Sequence, residues 1–158
     1  MNWEAIGAVS EILAAIAVIV TLIYLAKQIR QNSQAVEISA LRDTTEQWNQ
    51  WSEILATSGE LAEIVARGNH SYRDLSEVDA MRYGAYVQMF FDCAESYRIL
   101  VAEHEVQKDM DVLESIVGRR VRIRGFSEWW ADNRTDYADE FSDWVEEIAE
   151  QYGQEREQ

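Results

Sequence analysis

Two histidines, His70 and His104, one cysteine, Cys93, and 29 acidic residues are the groups from which a catalytic or metal centre would have to be built. Neither histidine sits in an HxxxH or ExxH pattern, and the paired Glu-x-x-His units of a di-iron bundle are missing. Asp92 and Glu95 stand one helical turn apart, as many surface carboxylates do. No motif supports a Ser/His/Asp or Cys/His triad, so no metal, cofactor or catalytic residue is expected. Cys93 lies in the apolar stretch MFFDCAESY and reads as a small buried hydrophobe rather than a nucleophile. A single cysteine excludes an intrachain disulfide and suits a reducing compartment.

Two further groups carry charge against their surroundings. Glu11 lies inside an apolar run, and Arg119, Arg120, Arg122 and Arg124 are four of only 14 basic residues in a chain of net charge −15. A carboxylate in hydrocarbon can hydrogen-bond across a helix–helix contact as the neutral acid, or line a wet cavity. Four clustered arginines can complement a helix C-terminus and nearby acids, which is the simpler reading, or meet anionic headgroups or an acidic partner. The overall negative charge opposes general DNA or RNA binding.

The element that must position Glu11 is the run from Ala5 to Ala26, in which it is the single charge. As a helix that run is about 33 Å long, close to a hydrocarbon core of ~30 Å. The part free of all charge, Ile12 to Ala26, gives only about 22 Å. Trp3 and Tyr24 suit opposite interfaces. Lys27 and Arg30 follow the run rather than precede it, which argues for an anchor over a signal peptide. The same charges put the N-terminus outside and residues 27–158 in the cytoplasm.

At 100° per residue, Val9, Ile12, Leu13, Ile16, Ile19, Val20 and Ile23 share one side, suited to lipid. Gly7, Glu11, Ala14, Val18, Thr21 and Leu25 alternate four and three along the other, the spacing of a left-handed helix–helix seam. Glu11 therefore either bonds across that seam or reaches the outer headgroups.

Residues 3–32 carry W-x-A-I-G-A-x-x-E-I-x-x-A-I-A-V followed by L-I-Y-L-A-x-Q-I-R-Q-N. This pattern resembles the N-terminus of a family of small bacterial single-span membrane proteins. The resemblance implies a comparable anchor before a helical cytosolic region, with a late WW pair as at Trp129–Trp130. It supplies no activity, and Glu11 fits its pattern.

The expected fold class is all-α: a transmembrane helix continuing into a cytosolic bundle of about five helices. The corresponding regions are 1–30 (anchor), 31–153 (bundle) and 154–158 (frayed tail). No glycine or proline lies between Gly7 and Gly59, so the first helix should run to about Thr57. Ile38, Leu41, Trp48, Trp51 and Leu55 form its buried stripe. Ser76 should cap a core helix from Glu77 to about His104, apolar around most of its girth through Met81, Tyr83, Tyr86, Val87, Met89, Phe90, Phe91, Tyr97 and Leu100. The next helix should end at Gly125, with Ser127 and Thr135 capping the last two. Of Trp129 and Trp130, about 100° apart, one should be buried and the other partly exposed as a contact for a partner.

Together these features point to a bacterial inner-membrane anchor, single-pass, whose span self-associates and holds helical domains together, with the protein partner unspecified. The alternative is a small oligomeric ion channel with a ring of Glu11. Val18 and Leu25 interrupt the polar lining a pore would need.

Overall fold

The computed structural model describes the backbone of residues 3–103 and 107–154, and all side chains within these except at 3–10, 12–15, 34, 37, 38, 41, 103, 107 and 154. The chain is all-α. Its elements are α1 (Trp3–Thr57), α2 (Gly59–His70), α3 (Glu77–Glu103), α4 (Gln107–Val121), α5 (Arg124–Asn133), a 3-10 turn (Arg134–Asp136) and α6 (Asp139–Gln154). Two compact units are present, Met1–Arg42 and Asp43–Gln158. Residues 104–106 and 155–158, which include His104 and nearly all of the expected tail, lie outside the described residues.

Local chemistry sets most boundaries. Without an internal breaker, α1 runs to Thr57, where Ser58 takes an extended backbone and its hydroxyl accepts the Leu61 N–H at 3.2 Å to start α2. Arg67 and His70 in the last turn of α2 complement its dipole. Ser76 starts α3 as expected, its hydroxyl accepting the Asp79 N–H at 3.2 Å.

Two starts differ from expectation. The chain turns at Ile123, whose N–H donates to the Arg120 carbonyl at 2.9 Å, and α5 begins at Arg124, upstream of Ser127. Ser127 is inside the helix, its hydroxyl donating to the Arg124 carbonyl at 2.9 Å. Gly125 is thus no helix stop: it is the point where α5 presses on α2. A Cβ there would collide with the Gly68 carbonyl oxygen and stand 2.6 Å from the Tyr83 hydroxyl. Thr135 falls in the 3-10 turn, and α6 starts at Asp139 instead, with Ser142 Oγ donating back to the Arg134 carbonyl at 2.9 Å.

Within the second unit, the core is aromatic and centred on α3. Tyr83, Val87, Phe90 and Phe91 are fully buried, as are Leu113 and Val117 of α4, Phe126 of α5, and Phe141 and Val145 of α6. Trp48, Trp51 and Leu55 of α1 join this core, and Trp51 Nε1–H donates to the Tyr86 carbonyl at 2.9 Å. Ile38 and Leu41, the other expected members of that stripe, have side chains outside the described set. Met81 is expected in the core and is 72 % exposed, because it stands on the open side of α3 with Val78, Ala85 and Gln88, all exposed at helical spacing. Cys93 is buried; desolvation, then the neighbouring Asp92 charge, push its thiol above the usual range.

Candidate functional site

The expected seam lies in the first unit. Gly7 and Ala14 belong to α1, with side chains outside the described residues. Glu11, Val18 and Thr21 are exposed, and the Thr21 hydroxyl donates to the Ala17 carbonyl at 2.8 Å. Val18 and Leu25 on the seam side are open, and so are Ile16, Ile19, Val20 and Ile23 on the lipid side. Bulky apolar surface therefore encircles α1 from Ile16 to Leu25. Among the described residues no helix is long and apolar enough to cross a membrane. The first half of the Ala5–Ala26 run falls almost entirely on positions whose side chains are outside that set.

The four arginines lie where α4 turns into α5, and they divide. Arg124 pairs with Glu128 one turn on, Nε to Oε1 at 2.7 Å. Arg119 and Arg122 are exposed. Arg120 is half-buried, its guanidinium carbon 4.9 Å from the Trp51 ring centroid and 5.9 Å from those of Phe90 and Phe126. Such contacts are worth about 0.5–2 kcal/mol, more as the cation is desolvated. Burial pushes the Tyr86 hydroxyl pKa above its ordinary range, and the Arg120 charge opposes that rise.

Arg119 and Arg120 line one open groove of about 490 Å³ with Trp48, Trp51, Phe90, Ile116 and Ile123. Among the described residues no acidic one lines it. Elsewhere in this unit Arg67, Arg73, Arg82, Arg98, Arg124 and Arg134 each pair with a carboxylate. Among the described residues Arg119 and Arg120 have no such partner.

Trp129 and Trp130 are both buried, at 5 % and 6 % exposure, which corrects the expected split. The reason is that α5 is covered on two sides. Trp129 stacks on Phe91 at 5.8 Å and 9° and approaches Gly84 of α3. Trp130 meets Phe91 at 4.4 Å, Tyr137 at 5.2 Å and Phe141 at 6.0 Å. Neither is available to a partner in this conformation.

A polar hub went unnoticed in the sequence. Glu128 accepts the Tyr72 N–H at 2.8 Å, the Arg73 N–H at 3.2 Å and the Arg124 Nε–H at 2.7 Å, clamping the α2–α3 loop to α5. Desolvation alone would raise its carboxyl; the Arg124 hydrogen bond and the two backbone N–H groups outweigh it and hold the carboxyl below the usual range. Only the Arg124–Glu128 spacing was visible in the sequence. Among the described residues no cluster of His, Cys, Asp and Glu could hold a metal ion. Compared with known proteins, the chain matches no family model, no curated protein and no solved structure.

Proposed function

We propose that this protein is a membrane-anchored, self-associating helical scaffold without catalytic activity, with residues 5–26 of α1 in the bilayer. The observation that carries this is the apolar surface encircling α1, where Ile16, Val18, Ile19, Val20, Leu22, Ile23, Tyr24 and Leu25 are all about half or more exposed. A helix apolar all round needs lipid or protein about it, and soluble monomers rarely leave such a patch open. Lys27 and Arg30 then mark the cytoplasmic end, giving an N-out, C-in single-pass topology. The resemblance of residues 3–32 to single-span bacterial proteins supports the same reading and an inner-membrane location. Gly7, Glu11, Ala14, Val18 and Thr21 form the contact between copies, the small ones allowing close approach and Glu11 bonding across.

Two measurements test this. The protein should stay with the membrane after alkaline extraction, and protease added to intact spheroplasts should leave residues 31–158 uncut. Release into the supernatant, or digestion from outside, refutes the anchor or its direction. The mass of the complex in mild detergent should exceed that of one chain; a monomer refutes the self-association.

A further inference from the structure

We infer that the groove walled by Trp48 and Trp51 and rimmed by Arg119 and Arg120 binds an anionic amphiphile: a phosphate or carboxylate carrying an apolar group about the size of a fused ring pair. The first ground is charge. In a chain with 29 acidic and 14 basic residues, arginines find carboxylates readily, and six in this unit do. Among the described residues Arg119, Arg120 and Arg122 do not, and the first two of these share one concavity. An anion is the complement their surroundings withhold.

The second ground is preorganisation. Arg120 is held among the rings of Trp51, Phe90 and Phe126, so little side-chain freedom is lost when a ligand arrives. None of its nitrogens is shut off from solvent without a partner, as Arg98 Nε and Trp130 Nε1 are. They remain able to donate to an oxyanion, bidentately if it presents two oxygens. The third ground is shape and lining. A volume of about 490 Å³ falls within the range of small-molecule sites, roughly 300–1,000 Å³. Trp48, Ile116 and Ile123 offer the apolar wall on which the uncharged part would rest.

The ligand's source is either a membrane lipid headgroup or a soluble solute, and one experiment separates them. Full-length protein in neutral detergent is titrated calorimetrically with 1-naphthyl phosphate and with uncharged 1-naphthol. Saturable binding of the phosphate is expected, with the naphthol much weaker. Arg119→Gln and Arg120→Gln should each weaken it about tenfold, the loss of one charge-assisted hydrogen bond. Arg122→Gln, outside the groove, should bind like wild type. Arg119 is exposed, so its variant carries the test even if Arg120→Gln folds poorly.

Competition by phosphatidylglycerol but not phosphatidylcholine bilayer discs assigns the groove to a headgroup. Absence of competition, with naphthyl phosphate still bound, assigns it to a soluble amphiphile. No saturable binding, or equal binding by wild type and Arg119→Gln, overturns the inference. So does a fall in oligomer mass in the arginine variants without anion binding, which would give the groove to an acidic segment of a second copy.

Discussion

Replacing Gly125 by alanine should destabilise the helical unit by about 2 kcal/mol, against the usual preference of a helix for alanine. At an open site that preference is worth up to ~1 kcal/mol in alanine's favour. At Gly125 the new methyl would meet the Gly68 carbonyl oxygen, which belongs to the backbone of α2, and the Tyr83 hydroxyl at 2.6 Å. Neither can yield cheaply. Tyr83 is fully buried and donates to Asn69 Oδ1 at 3.0 Å, and Gly68 has the Tyr83 ring against its own α-carbon. The two helices must therefore separate, opening the aromatic layer around Phe126. Overpacking of this kind costs roughly 1–3 kcal/mol, and rigid backbone on one side places it at the upper end. After the propensity gain the net loss is about 2 kcal/mol, a fall in Tm of about 8 °C for a unit of this size. Tryptophan fluorescence is the assay, because Trp48, Trp51, Trp129, Trp130 and Trp144 all lie in that unit. Gly59→Ala is the control, since nothing stands within 4 Å of its added methyl and it should be neutral or mildly stabilising. If Gly125→Ala melts at or above the wild-type temperature, the α2–α5 contact is not the close one described.

Two further outcomes are expected. Burial, and then the Asp92 carboxylate whose oxygen accepts from its hydroxyl at 3.0 Å, raise the Tyr137 pKa well above the ordinary value of about 10. Its contribution to stability is full below that value and is lost as pH rises past it, so Tm should drop above pH ~10 and drop less steeply in Tyr137→Phe. On the proposed anchor reading, Glu11→Leu, Gly7→Ile and Ala14→Ile should each lower the oligomer fraction, by ~1 kcal/mol where one interhelical hydrogen bond is lost, while Glu11→Gln stays close to wild type. Wild-type behaviour of all three bulky or apolar variants, measured against protein-to-detergent ratio, would remove the seam.

Signals that act over a single turn were legible in the sequence. The unbroken run to Thr57 and the Ser76 cap depend on neighbours three or four residues away, and both stand. Ser127 and Thr135 also had the right chemistry for caps, but α5 starts where Gly125 can reach Gly68, a partner on another helix. The burial of both Trp129 and Trp130 has a similar reason. A helical wheel assumes one covered side, whereas Phe91 reaches both indole rings and Tyr137 with Phe141 closes over Trp130. The arginine quartet looked uniform because what divides it is distant in sequence: Trp51 for Arg120, against a local Glu128 for Arg124.

The lone thiol of Cys93 gives this protein a built-in clock. It is 4 % exposed on the central helix, so a reagent cannot reach it while α3 is packed. A disulfide reagent can therefore modify it only during the intervals when α3 opens. With reagent in low excess, the modification rate relative to that of the unfolded chain equals the fraction of time spent open, which converts directly into a local opening free energy. Because no other cysteine exists in the chain, that reading comes from one known place without engineering a probe. Any ligand or neighbouring copy that steadies the helices about α3 will slow the clock, even if it binds far from the sulfur.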